Sequence, residues 1–139
     1  MSLSAQTLLP SQLVIVDNYS NEAERDHLKT YLIEECEQVF KDKGVKFKLI
    51  ALSDDEFSHA YSTNLGVFAS DHELVCITNA HSLPISTEWL ETGAEYFKDQ
   101  KIAGVSGYFF PHHQSTFLAK VDKAVYQFTQ KSILHQDWC

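Results

Sequence analysis

Basic residues and glycine-rich loops are scarce in this 139-residue sequence. It has 11 Lys and Arg against 19 Asp and Glu, which gives a formal net charge of −8. A nucleic-acid-binding surface needs clustered positive charge, so we expect no nucleic-acid partner. With only 5 Gly, the chain contains neither Gly-x-Gly-x-x-Gly nor a Gly-Lys-Ser/Thr phosphate loop. A small nucleotide-binding or nucleotidyltransferase-like domain is therefore the least favoured of the functions considered.

Cysteine and long apolar runs are scarce as well. The 3 cysteines are odd in number and widely spaced, which does not suggest a disulfide framework or a Cys-x-x-Cys metal site. The start of the chain lacks the basic and apolar segments of a signal peptide. No run approaches the roughly 20 apolar residues of a membrane span. We therefore expect a soluble, cytoplasmic protein with reduced thiols.

The hydrophobic pattern predicts one α/β domain over residues 1–139, with 44% hydrophobic and 22% charged residues. The continuous apolar runs Leu13–Val16 and Leu74–Ile77 are typical of strands buried on both faces of a parallel sheet. Alternation over residues 45–51 predicts a strand that is half exposed and nearer the sheet edge. The carboxyl ends of such strands are where ligands bind in open α/β sheets.

Helices are predicted between and after these strands. Asn21 with Glu24 forms a capping-box pattern for a helix over 22–41, and Gly44 fits its end. A crossover helix is predicted around 58–70, and Ser86 or Thr87 can cap the next one. Residues 102–110 then resemble a strand, and 117–128 an amphipathic helix.

Several short segments together resemble the family 2 glycosyltransferases of the GT-A type. The resemblance runs from about Gln6 to Gly107 and depends on the order and spacing of several segments, not on a single motif. In chain order these segments are Asn64-Leu65-Gly66, the apolar run Leu74–Ile77, Asn79-Ala80-His81, Pro84 and Trp89-Leu90-Glu91. In the family the polar triplet is usually Asp-x-Asp, and one branch has Ala-His there. The resemblance implies a Rossmann-like GT-A three-layer sandwich with a mostly parallel sheet. It also implies inverting transfer of a sugar from a nucleoside diphosphate donor to a saccharide or lipid-linked acceptor, in surface polysaccharide synthesis.

The same resemblance implies a nucleotide-binding set of Asp17, Asn18, Asn64 and Gly66. Asp17 and Asn18 lie in Val16-Asp17-Asn18-Tyr19-Ser20, which is similar to the family's Val-Asp-Asn-x-Ser segment. An ionised Asp is only an acceptor, so it selects donors such as a base N–H or a ribose hydroxyl. The alternatives are that Asp17 caps a turn and that Asn64 ties its loop to the next strand. Gly66 lets another backbone or a ligand approach closely.

Asn79 and His81 occupy the family's metal motif, which implies a divalent ion, Mn²⁺ or Mg²⁺, bridging the donor's diphosphate. Asn79 offers a neutral carbonyl where a carboxylate is usual, and Mg²⁺ prefers charged oxygen ligands. His81 suits Mn²⁺ better. We therefore expect weak metal binding, or none without nucleotide. The alternative is that His81 is an ordinary loop histidine.

Two parts of the family pattern have no counterpart here. The family's first strand, which lies centrally between those at 12–17 and 73–78, is missing, and so is most of the C-terminal part that supplies the general base. Gln136-Asp137-Trp138 weakly resembles the family's Glu-Asp motif, with Gln in place of Glu and Asp137 as the candidate base. Its alternative is a solvated terminal carboxylate.

These gaps lead to a second hypothesis of another class. A missing central strand leaves open sheet edges, which invite pairing with a neighbouring chain or with another copy of this one. The chain would then be a non-catalytic α/β module that acts through protein association. The related possibility, under the first hypothesis, is a glycosyltransferase domain that is inactive when isolated.

Overall fold

A computed structural model describes residues 3–19, 21–80 and 82–107 of the chain. The chain divides into two compact units, Met1–Lys101 and Ile102–Cys139. All the helices and strands given below belong to the first unit. The prediction of a single domain stays a prediction.

The first unit is built around a two-stranded parallel sheet. Strand β1 spans Gln12–Tyr19 and strand β2 spans Lys46–Ser53, with a register that runs from Gln12 beside Lys46 to Tyr19 beside Ser53. The helices are α1 (Glu22–Tyr31), α2 (Gln38–Lys41), α3 (His59–Phe68) and α4 (Trp89–Glu95), with a π-helical segment (Leu32–Glu37) between α1 and α2 and a 3₁₀ turn (Tyr96–Lys98) after α4. The α/β class is confirmed, and the architecture is compatible with part of a Rossmann-like fold.

The predicted helix over 22–41 forms and connects the two strands. Its start is as expected: the backbone N–H of Glu24 donates to the Asn21 side-chain oxygen over 2.9 Å, which satisfies one of the free donors of the first turn. Its end is also as expected, because Gly44 has φ of 74°, a conformation that glycine adopts without steric cost. The π-helical segment was not predicted from the sequence.

The two faces of the sheet are covered differently. Alternation along a strand places Val16 and Asp17 on opposite faces. On the α3 face, which contains Val16, helix α3 packs so closely that a Cβ added to Gly66 would lie 3.3 Å from Val16 Cγ2. On the cavity face, which contains Asp17, the α1–α2 segment leaves an open cavity. The well-buried apolar side chains of the described residues are Phe40, Val45 and Leu52.

The predicted buried strand at 73–78 does not form. Residues 74–79 have no regular secondary structure, and Leu74, Val75 and Ile77 are 53%, 41% and 62% exposed. A strand needs a neighbour to pair its backbone, and among the described residues β1 pairs with β2 alone. Of the two strands expected on either side of the missing one, only β1 is therefore present among the described residues.

This apolar segment is tethered at both ends by glutamine side chains from early in the chain. Gln12 accepts a hydrogen bond from the backbone N–H of Asp71 over 3.1 Å. Gln6, which is 6% exposed, donates to the Ser86 carbonyl over 2.8 Å and accepts from the Leu90 N–H over 3.0 Å. The two ends of this segment are thus held by polar contacts, while its apolar side chains stay exposed.

The predicted caps of α4 were wrong. Glu88, not Ser86 or Thr87, occupies the N-cap position, and its side chain makes no capping hydrogen bond with the helix backbone. The free N–H of Leu90 is instead satisfied by Gln6. A contact between residues so far apart in sequence is invisible to a local capping rule.

The second unit contributes residues 102–107 to the described part of the chain. They have no regular secondary structure, so the strand predicted from residue 102 is absent as far as residue 107. The rest of that strand and the helix predicted at 117–128 lie outside the described residues. None of the described helices has the length and apolar character that crossing a bilayer requires. A cytoplasmic location stays a prediction.

Candidate functional site

A cavity of about 600 Å³ lies between the cavity face of the sheet and the helical segment that follows β1. This volume lies within the range of roughly 300–1,000 Å³ that small-molecule sites occupy. Strands and helices both contribute to its wall, which consists of Asp17, Tyr19, Arg25, Lys29, Ile33, Glu37, Phe47, Leu49 and Ala51. Asp17 thus projects into a concave site.

The cavity has a polar end and an apolar end. Helix α1 starts beside the carboxyl end of β1, where the Arg25 guanidinium lies 5.4 Å from the centre of the Tyr19 ring. The helical segment then runs back along the sheet to Phe40, whose carbonyl accepts from the Val45 N–H over 3.0 Å just before β2 begins. Asp17 and Arg25 therefore lie toward the carboxyl end of the sheet, and Phe47 toward the other end.

The Asp17 carboxyl is held in a partly dehydrated place. Burial raises the pKa of Asp17 above its ordinary value, because removing water disfavours the charged form. Among the described residues, none beyond β1 forms a side-chain hydrogen bond with Asp17. A carboxylate in this position accepts hydrogen bonds from a ligand that brings donors, such as the hydroxyl or N–H groups of a nucleoside.

Two cations accompany Asp17 in the cavity wall. Arg25 and Lys29 are four residues apart on α1, which puts them on one face of the helix. Arg25 contacts Asp26 over 3.1 Å, and this hydrogen bond raises the pKa of Arg25, so the guanidinium stays charged. The sequence analysis missed both residues. Their four-residue spacing is visible in the sequence, but the distance of α1 from the sheet, which brings them to the cavity, is not.

The structure separates the other predicted nucleotide-binding residues from Asp17. Asn18 points to the α3 face and donates to the Leu52 carbonyl over 3.4 Å and to Asp54 Oδ1 over 3.1 Å. Asn64 is exposed on α3, and Gly66 packs against β1 on the same side. The described structure therefore brings Asn18 and Gly66 to one face of the sheet and Asp17 to the other.

The predicted metal motif is only partly described. Asn79 lies exposed in the segment after α3, where its carbonyl accepts from the Ser82 N–H over 3.0 Å. His81 and the candidate base Asp137 lie outside the described residues. Within the described ranges, no three His, Cys, Asp or Glu side chains are grouped so that they could hold a metal ion. Asn79 alone, with a neutral oxygen, does not make a divalent-metal site.

The chain is similar to a glycosyltransferase. It is 28% identical over 115 residues to the O-antigen chain rhamnosyltransferase WbaN of Salmonella anatum. The match covers 82% of this chain and 32% of that protein, so the chain spans about a third of the length of the curated relative it matches. No family model and no solved structure matches the chain. The similarity supports a glycosyltransferase-like function.

Proposed function

We propose that this chain is the nucleotide-sugar-binding part of an inverting glycosyltransferase of the GT-A type, family 2, that acts in surface polysaccharide synthesis. The single observation that carries the proposal is the match to a rhamnosyltransferase over most of the chain. The position of Asp17 in a concave site at the sheet's carboxyl end supports it. The sugar, the base and the acceptor are left open by this proposal.

The predicted residues differ in their role in this proposal. Asp17 accepts hydrogen bonds from the nucleoside. Asn18 and Gly66, on the opposite face of the sheet, and Asn64, exposed on α3, were predicted to bind nucleotide, and in this proposal they make no contact with a nucleotide bound in the cavity beside Asp17. If a divalent ion binds together with the donor, Asn79 and His81 would be the residues that hold it, and the ion would help to neutralise the leaving group. Asp137 is the candidate base for the acceptor hydroxyl.

Calorimetric titration tests the donor half of the proposal. UDP, GDP and dTDP are titrated into the protein with and without Mn²⁺, and again into Asp17→Asn and His81→Ala. One nucleotide should bind, and Asp17→Asn should weaken it by about tenfold, because a charged hydrogen bond is worth roughly 1.5–3 kcal/mol. The exposed Asp55→Asn is the matched control. Absence of binding by all three nucleotides would overturn the proposal.

Sugar transfer by the isolated chain tests the catalytic half. Under the proposal, the isolated chain binds the nucleotide sugar without transferring the sugar to an acceptor. Sugar transfer by the isolated chain that Asp137→Ala abolishes would instead show that the chain carries its own catalytic base. Binding without turnover would restrict the chain to donor recognition.

A second function, protein association, is favoured by one specific observation. Six exposed apolar side chains follow each other from the end of α3 to the start of α4: Phe68, Leu74, Val75, Ile77, Leu83 and Ile85. Exposed apolar patches are typical of interaction sites. In addition, β1 has an edge that no described strand pairs. Sedimentation at several concentrations tests self-association. Ile77→Asp should shift an oligomer toward monomer, whereas Tyr96→Asp, at a similarly exposed position on the 3₁₀ turn, should not.

A further inference from the structure

We propose that Arg25 and Lys29 bind the phosphate groups of a nucleoside diphosphate in the cavity beneath α1, without needing a metal ion. The inference rests on the proposed function for the identity of the ligand. It differs from the resemblance in the source of positive charge, which here comes from side chains of the first helix after β1.

The position of the two cations is the first argument. Both line the cavity, and their four-residue spacing places them about one helical turn apart on the same side of α1. Arg25 is fixed at the carboxyl end of the sheet by its contact with the Tyr19 ring. Two cations one turn apart match the two neighbouring phosphates of a diphosphate.

The charges that face them are the second argument. Among the groups lining the cavity, the acidic ones are Asp17 and Glu37. Glu37 is paired with Lys41 over 3.0 Å and lies in the last turn before α2. Lys29 forms no ion pair with any described residue, and Arg25 has five donors, so its contact with the exposed Asp26 leaves others for a ligand. Among the lining residues at the polar end, two cations therefore accompany one carboxylate, while outside the lining Asp26 pairs with Arg25 and Glu22 adds a further negative charge near it.

The lining of the cavity indicates which other groups the ligand carries. Phe47, Leu49 and Ala51 provide an apolar floor from β2, suited to the flat face of a base. Asp17 lies on the same face of the sheet and accepts from hydroxyl or N–H donors. A ligand with an apolar ring, sugar hydroxyls and two adjacent phosphates fits these three features together.

The test compares each nucleoside diphosphate with its own nucleoside and with inorganic pyrophosphate, which isolates the contribution of the phosphate groups. UDP, GDP and dTDP, their nucleosides, and inorganic pyrophosphate are titrated calorimetrically in EDTA into wild type, Arg25→Gln, Lys29→Gln and the double variant. Each single variant should lose about tenfold or more in affinity for the diphosphate, the size expected for one charged hydrogen bond, and leave the nucleoside affinity unchanged. Lys98→Gln is the matched control, because Lys98 makes only an exposed pair with Glu95 outside the cavity.

The outcomes separate this inference from the proposed function. Nucleotide binding in EDTA that is indifferent to both substitutions, or binding that appears only with Mn²⁺, would overturn the inference and leave the proposed function standing. Pyrophosphate binding that needs Arg25 and Lys29, with no preference for any nucleotide, would support the cation pair and overturn the proposed donor. A wild-type protein that binds neither would overturn both. Circular dichroism of each variant establishes that the fold is retained.

Discussion

The two faces of the β1–β2 sheet are built from the same strands and packed to different densities. On the α3 face, Gly66 brings the helix so close that even a methyl group would touch Val16. On the cavity face, the helical segment leaves about 600 Å³ open, with the Asp17 carboxyl projecting into it. Protein interiors are normally close-packed, so an opening of this size on the cavity face is a specific feature of this molecule.

The difference indicates which face contributes stability and which is available for ligands. A face that buries apolar side chains closely gains dispersion and hydrophobic energy, whereas a cavity with charged walls forgoes both. The charges of Asp17, Arg25 and Lys29 on the open face would be unfavourable if the helix closed on them. Pairs of substitutions, one on each face, test this division.

The largest expected difference concerns two leucines of β2. Alternation places Leu52, which is 4% exposed, on the α3 face, and Leu49 lines the cavity. Leu52→Ala should lower the free energy of unfolding by about 2–5 kcal/mol, the range for a buried Leu that leaves a cavity. Leu49→Ala should cost less than about 2 kcal/mol, because its environment is already open. Urea denaturation measures both, and equal losses would mean that the two faces do not differ in packing.

An intermediate effect is expected from adding volume. Gly66→Leu should destabilise by about 1–3 kcal/mol, because the new side chain must displace Val16 or the helix. Ala51→Leu enters the cavity and should change stability by less than about 1 kcal/mol while lowering nucleotide affinity. Gly93→Leu is the control for helix propensity, since an added Cβ there meets nothing within 4 Å. If Gly66→Leu proved as mild as Gly93→Leu, the close approach would be irrelevant to stability.

The parts of the fold that were predictable from the sequence are those that depend on local rules. The Asn21 cap and the Gly44 stop act through neighbours in the chain, and both formed as expected. Strand β1 also formed, beside β2, but its residues are half-buried and not buried on both faces as predicted. The run Leu74–Ile77 is similarly apolar but has no partner strand among the described residues. Composition records the preference for burial and not the presence of the partner.

The site was predictable to a smaller extent for the same reason. Asp17 was singled out because Val16-Asp17-Asn18-Tyr19-Ser20 resembles the family's segment and lies at the end of the predicted strand. The division of Asp17 and Asn18 between two faces followed from strand alternation and was available from the sequence. The contribution of Arg25 and Lys29, by contrast, depends on the distance at which α1 crosses the sheet, and no local pattern determines that distance.

The smallest expected effect is the pH-dependent change in stability caused by Asp17→Asn. It tests whether the partly buried carboxylate on the cavity face lowers the free energy of unfolding. Burial raises the pKa of Asp17 in the folded state above its unfolded value of 3.8, so the folded protein binds the proton more tightly. Stability from this group is therefore present below 3.8 and is lost as pH rises toward the folded pKa. Asp17→Asn should raise the free energy of unfolding at neutral pH, with a difference that shrinks toward zero on acidification, while nucleotide binding weakens. Thermal denaturation over a pH series measures it, with Asp55→Asn as the exposed control. A variant less stable than wild type at neutral pH would show that the carboxylate stabilises the fold, and the cavity face would then be structural.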